Sequence, residues 1–410
     1  HQILLTLKKI IDNKRLVSEA TTSAYQQEFA QIFSRIQMGL DYTDWVEVYK
    51  KLIYWELELE HAETDEMKEV LNMQKSEANT EFCKFIIKNY THWIQNRNTS
   101  SIPTMSHTLF KDKIFPNMSE DKSNFVIVID NLRFDQWKII QPILSTAFRF
   151  LEEDAFYSIL PTSTHYSRNA IFAGLMPFDI ARRFPQEWKN DTDEGGKNLH
   201  EKDFLADMLY RTNNEMKFSY TKITNNRDGL SLVDNMHNLL HNKLNVIVYN
   251  FVDMLSHART EMEVLKELAS DEAAYRSLTR SWFIHSPLWQ ALRRIEGRPV
   301  NLFITTDHGT MRVQRPSKVV GDRNTTTNLR YKHGRNLQYN RKDVLEVRNP
   351  RDAMLPRPNV SSTFIFAKED LFFVYPNNYN HYVNYFKNTF QHGGISLEEV
   401  IIPICRFTSK

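Results

Sequence analysis

Residues 125–130 read FVIVID: five apolar residues, Phe125 to Ile129, closed by the carboxylate of Asp130. An unbroken apolar run of this length predicts a strand covered on both faces, as in the interior of a parallel sheet. Working outward from it, comparable β-rich runs occur at 155–160, 217–221, 244–251, 300–306, 362–366 and 400–407, the first strand itself spanning 124–130. Helical patterns fall between most of them, at 133–146, 164–174, 201–211, 229–241 and 271–296. Strands alternating with helices predict an α/β domain built on a doubly wound sheet with helices on both faces.

Residues 1–100 follow a different grammar, with no proline and a single glycine, Gly39. Apolar residues recur there at helical spacing in Tyr25, Phe29, Ile32, Phe33 and Ile36, and again in Trp45, Val48, Tyr49, Leu52, Ile53 and Leu57. A third helical stretch runs from Thr64, a candidate N-cap, to Trp93, with Met67, Val70, Leu71, Phe82, Phe85 and Ile86 as inward positions. The expected organisation is an all-α helical bundle over 1–100, a linker over 101–122 and the α/β domain over 123–410.

The 410 residues carry 52 Lys and Arg against 50 Asp and Glu, a net charge of +2, and 41% are hydrophobic. That balance supports a sizeable core and excludes a basic nucleic-acid arm or an acidic tail. The longest apolar runs are strand-sized, far short of the roughly 20 residues that cross a bilayer, so no membrane insertion is expected. Two cysteines, Cys83 and Cys405, suit a reducing compartment, and the expected location is cytoplasmic. The chain opens on His1, with no signal-peptide pattern, and is expected to be a fragment. One segment departs from neutrality: 312–343 has nine basic and two acidic residues, a net of +7, and is expected to be an insertion or long loop.

In open α/β sheets ligands bind beyond the carboxyl ends of the strands. Those exits carry Asp130, the hydroxyls Thr162, Ser163 and Thr164, Asp253 with His257 four residues on, the pair Asp307 and His308, and His392 before the last strand. Three carboxylates and three imidazoles on one edge are the donor types that a pair of divalent ions takes. Thr164 opens a helix, where partial positive charge favours an alkoxide and a metal neighbour would make it a nucleophile. Arg168, one turn later on the same face, could hold a phosphoryl group through two parallel hydrogen bonds.

With these residues in this order, the chain resembles the alkaline phosphatase superfamily. The stretch from Thr164 to Arg168 and on to Ala173, Gly174 and Leu175 has the spacing of the nucleophile helix of nucleotide pyrophosphatase/phosphodiesterases, and an arginine four residues on, as in sulfatases. More narrowly, VIVIDNLRFDQW with LPTSTHYSRNAIFAGLMP resembles the PglZ branch. The run PSKVVGDRNTTTNLRYK and the helical preface resemble PorX-like response regulators of the type IX secretion system, which begin with a receiver domain not present here. The resemblance implies two zinc ions, with manganese as an alternative. Asp130, Asp307, His308 and Thr164 would hold one, and Asp253, His257 and His392 the other. Thr164 stands where a sulfatase carries a modifiable cysteine or serine, so sulfatase activity is not expected.

The implied reaction is hydrolysis of nucleotide or oligonucleotide phosphodiesters, linear or cyclic, with Thr164 as nucleophile and Arg168 on the non-bridging oxygens. The +7 segment favours a polyanionic substrate, contacted by Arg315, Lys318 and Arg323. Implied partners are a cognate histidine kinase acting through the receiver domain, secretion-system or sigma-factor proteins, and a second copy of the chain. The competing reading is a non-catalytic nucleotide- or partner-binding signalling module on the same fold. A DNA-binding regulator fits less well, because no helix has a basic recognition face.

Overall fold

The computed structural model describes residues 2–61, 65–96, 101–251, 267 and 270–410. Asp253 and His257, and the proposed cap Thr64, lie outside the described residues. The chain divides into two compact units, His1–Phe85 and Ile86–Lys410.

The first unit is helical: α1 (Gln2–Met38), α2 (Tyr42–Leu59) and the start of α3 (Glu66–Gln95). Asp41 and Asp44 cap α2 reciprocally, each carboxylate accepting from the other's backbone N–H. Most positions of the stripes read from the sequence point inward, with Tyr25, Ile32, Trp45, Val48, Leu52, Leu71 and Phe82 all buried, whereas Phe33 is exposed, one position past the buried Ile32 and off the face that packs. The Tyr25 hydroxyl donates to Gln74 Oε1 at 2.8 Å, which satisfies both polar groups inside the apolar packing. Along α2, Trp55 and Leu59 are buried, whereas Leu57 is only half-buried.

The second unit is built on a six-stranded sheet: β1 (Ser123–Ile129), β2 (Phe148–Tyr157), β3 (Phe218–Ile223), β4 (Leu244–Tyr249), β5 (Val300–Thr305) and β6 (Ile401–Ser409). Their spatial order is β2-β6-β5-β1-β4-β3. β1 is parallel to both β4 and β5 and buried along its whole length, as its unbroken apolar run requires. β6 runs antiparallel to β5 and β2, so the sheet is mixed. In the β1/β5 register Val128 lies opposite Thr305, so the residues that leave the two strands, Asp130 and Thr306–Asp307, emerge side by side.

Four elements differ from expectation. β2 starts at Phe148 rather than 155, and 158–160 lies beyond it, because Ser158, Ile159 and Leu160 donate their N–H groups to Val400 O, Ser106 Oγ and Tyr90 Oη instead of to a ladder. The helix expected over 271–296 is two, Glu272–His285 and Pro287–Arg294. Ser286 caps the second, and Pro287 at its first position cannot continue the first. The stretch expected as a linker contains short helical turns, Ser106–Thr108, Phe110–Ile114 and Phe115–Asn117, with Met105, Leu109, Phe110 and Ile114 buried.

The +7 segment is not a long loop. Met311–Arg312, Arg315–Lys318 and Tyr331–Gly334 are strands paired with Phe390–Gln391, Leu371–Val374 and Thr363–Ala367. Val319, Val344, Ile365, Ala367, Leu371 and Phe373 make a small core beneath them. These partners come from 29 or more residues along the chain, beyond the reach of local periodicity. No described helix is long and apolar enough to cross a membrane. Cys83 and Cys405 are buried free thiols.

Phe82 is fully buried, its ring 5.3 Å from that of Trp45 in an edge-on contact. Phe82→Ala is therefore expected to destabilise the helical unit by about 3–5 kcal/mol in denaturant unfolding followed by circular dichroism.

Candidate active site

The exits of β1 and β5 and the start of one helix meet at the carboxyl edge of the sheet. Asp130 follows β1 and Asp307 and His308 follow β5, and their ligand-type atoms lie within 4.8 Å of one another. Thr164 begins a helix that opens with a π turn, Thr164–Arg168, and continues as Asn169–Ala173. Its hydroxyl lies 3.0 Å from Asp130 Oδ1 and 3.0 Å from His308 Nε2. The neighbouring Thr162 hydroxyl is turned away and donates to Gly394 O at 2.7 Å. Of the three hydroxyls in this turn, Thr164 is the one aimed at the acid and imidazole cluster.

The backbone prepares these groups. Asp307 Oδ1 accepts from the N–H groups of Asn131 and His308, at 3.1 and 3.0 Å. Asp307 Oδ2 is buried and has no hydrogen-bond partner among the described residues, a costly state for a carboxylate oxygen unless a cation meets it. His308 Nδ1 lies 2.9 Å from Gly309 O, a contact in which the ring donates, so Nε2 carries the lone pair facing Thr164 and Asp130. His392 stacks on His308 with ring centroids 4.3 Å apart, and its Nδ1 lies 3.2 Å from Thr162 O. Both imidazoles thus present a second nitrogen as a candidate donor. This donor set fits divalent zinc or manganese.

The electrostatics agree. Burial, reinforced by the adjacent Asp307, pushes the Asp130 carboxyl up to about 6 against the opposing pull of Arg168. Burial lowers His308, and burial together with the stacked His308 lowers His392 to about 4. Both imidazoles are therefore neutral near pH 7, the state in which they ligate metals.

Arg168 is only 1% exposed. Its Nη1 donates to Asp130 Oδ1 at 3.2 Å and Asn250 Oδ1 at 3.1 Å, and its Nε to Glu201 Oε1 at 2.6 Å. Tyr220 donates to the other oxygen of Glu201. Sequence reasoning missed Glu201 and Asn250. Asn250 had a signal, since it ends the run NVIVYN at a strand exit, whereas Glu201 begins a helix like many surface acids.

The remaining candidates are dispersed. Arg315 pairs with Asp370 and Glu369, at 2.6 Å each. Lys318 lies over the Tyr379 ring, 5.0 Å from its centroid, and Arg323 is exposed in a turn. The most buried cations of the basic segment are two others, Arg330 and Lys332.

An ion bound by these groups stabilises only the folded chain. Zinc added to chelator-treated protein is expected to raise its melting temperature, by about 2.7 kcal/mol of stability at a hundredfold excess over Kd. Asp307→Asn is expected to remove most of that shift, as read by scanning calorimetry with and without zinc.

The model of the PglZ alkaline phosphatase-like domain of the BREX system matches residues 109–407. That of the PorX response regulator linker domain matches residues 15–94. Among curated proteins none matches. Among solved structures, the chain is similar to the murine and human ectonucleotide pyrophosphatase/phosphodiesterase 5. Each has 10% identity and a TM-score of 0.46, with 70% of this chain and 88% of the other covered. It is also similar to phosphonoacetate hydrolase from Sinorhizobium meliloti 1021, with 9% identity and a TM-score of 0.40, covering 70% of this chain and 89% of that one. With well over half its length matched, the chain belongs to the PglZ family of alkaline phosphatase-like domains, and it carries a PorX-type response regulator linker ahead of that domain.

Proposed function

We propose that the chain is a two-zinc phosphodiesterase that hydrolyses nucleotide or oligonucleotide phosphodiesters, and that it is the output part of a cytoplasmic response regulator controlling type IX secretion. The observation that carries the catalytic reading is the Thr164 hydroxyl, 3.0 Å from both Asp130 and His308, beside the unpartnered Asp307 Oδ2. Asp130, Asp307, His308 and Thr164 would hold one ion. His392 would hold the second together with Asp253 and His257, which lie outside the described residues. Zinc or manganese would supply Lewis acidity toward the phosphoryl oxygens and the leaving group.

The residues' own part is a double displacement. Thr164 Oγ loses its proton and bonds to phosphorus while the bond to the leaving alkoxide breaks, and the alkoxide departs as the protonated alcohol. Water then attacks the phosphothreonine, releasing a phosphomonoester and restoring Thr164. Arg168 acts from behind Asp130: it fixes that carboxylate, and its fixed charge offsets negative charge gathering at Thr164. This differs from direct contact with the phosphoryl oxygens, because the guanidinium is engaged by Glu201, Asp130 and Asn250. Phosphorylation of a receiver domain by a histidine kinase would be the input, and secretion or sigma-factor proteins the downstream partners.

Thr164→Ala is expected to retain zinc and to lower hydrolysis of bis(p-nitrophenyl) phosphate and short oligonucleotides on the order of a thousandfold or more. Equal inertness of both proteins with zinc bound would instead mark a nucleotide- or partner-binding module.

Substrate class is tested separately. Charge reversal at Lys318 and Arg323 is expected to raise KM for an oligonucleotide about three- to tenfold and leave KM for the small diester unchanged. Reversal at Arg315 is expected to add less, because its guanidinium is already neutralised by Asp370 and Glu369. Equal changes for both substrates would remove these residues from the binding surface.

A further inference from the structure

His392 belongs to a three-residue passage, 392–394, that follows the strand Phe390–Gln391 and leads through Ile395 to Ser396, which caps the one-turn helix Leu397–Val400. Nothing in the passage is helical or laddered beyond Gln391, so other groups must hold the imidazole in place. Those groups are all buried and converge on two glycines. The Gly393 N–H donates to Thr162 Oγ1 at 3.1 Å, and the Gly394 N–H to Glu399 Oε1 at 3.2 Å. Thr162 also donates to Gly394 O and meets His392 Nδ1 through its own carbonyl.

Glu399 is fully buried, and Arg330, also fully buried, grips it with Nε at 3.0 Å and Nη2 at 2.6 Å. Ser396 Oγ donates to the same carboxylate at 2.7 Å. The rest of the guanidinium donates to Leu371 O and Ile395 O. Close packing completes the clamp. A Cβ on Gly394 would lie 2.5 Å from Ala367 O and 2.8 Å from Arg330 Cζ and Nε. On Gly393, where φ is +122°, it would lie 2.6 Å from the Tyr331 ring. A buried ion pair is by itself poor evidence for stabilisation, since desolvation offsets the attraction. Here its hydrogen bonds run to the backbone and carboxylate that border His392.

We propose that Arg330 and Glu399 are positioning residues for His392, and that Thr162 transmits their hold. The inference rests on the two-ion reading above. It makes the zinc that depends on His392, and only that one, sensitive to Arg330, a residue of the basic segment that touches neither substrate nor metal.

The test is zinc titration of the metal-free full chain, with bound metal counted by mass spectrometry after dialysis and with cobalt absorption spectra as a second readout. The proteins are the wild type, His392→Ala, Arg330→Gln, Thr162→Val and His392→Ala/Arg330→Gln. Wild type should hold two ions, and His392→Ala should lose one of them. Arg330→Gln and Thr162→Val should weaken that same ion about 10- to 100-fold, the usual effect of removing a residue that orients a ligand. They should leave the other unchanged, and Arg330→Gln should do nothing further to the ion left in His392→Ala. Should Arg330→Gln fail to fold, Thr162→Val carries the test, because it removes one hydroxyl at nearly constant shape. Wild-type affinity for both ions in a folded variant, or equal weakening of both, overturns the positioning role while the two-ion reading stands. A wild type that holds one ion, indifferent to His392→Ala, overturns the two-ion reading itself.

Discussion

Two carboxylates buried side by side at neighbouring strand ends are the constraint on which the rest of the α/β unit turns. Asp130 is 7% exposed and Asp307 is not exposed at all, and the parallel register of β1 and β5 brings them out of the sheet together. Like charges in such a place are expensive, and ionisation is favoured only where positive charge is near. Arg168 supplies one such charge and is itself balanced by Glu201, so it does not neutralise the pair alone. The unpartnered Asp307 Oδ2 marks where further positive charge belongs, and the two neutral imidazoles beside it are the complementary donors. A divalent cation would settle the carboxylates and would give the Thr164 hydroxyl its reason for pointing there.

The surrounding elements serve that cluster at increasing distance. The π turn at Thr164 sets the direction of its hydroxyl and carries Arg168 back to Asp130. Farther out, the small sheets around Tyr331–Gly334 and Leu371–Val374 bring Arg330 to Glu399, behind the glycines next to His392. The basic segment thus has two populations of cations. Arg330 and Lys332 are buried, whereas Arg323 faces solvent.

Much of this was legible before any coordinates. FVIVID identified the central strand, and Asp130, Asp307, His308 and Thr164 were legible as strand-exit residues because chemistry-bearing side chains there follow apolar runs directly. The order of metal-type residues along the chain pointed to the superfamily that the PglZ match shows. Illegible were the features set by distant pairing. The strands of the basic segment find partners 29 or more residues away, so its charge suggested a loop where the fold has sheets. Arg168 looked like a surface arginine or a phosphate clamp, because Glu201, 33 residues on, carries no local sign that it will be buried against it. The break at Ser286–Pro287 was written in the sequence as a capping serine before a proline, and the apolar periodicity on either side concealed it.

The most direct test of the central claim is X-ray diffraction from crystals grown with zinc, with anomalous differences collected at the zinc absorption edge. The account predicts one peak within coordination distance of Asp130, Asp307 Oδ2, His308 Nε2 and Thr164 Oγ1, and a second beside His392. An Asp307 Oδ2 that is instead satisfied by protein or water, with no anomalous peak at the cluster, would contradict it.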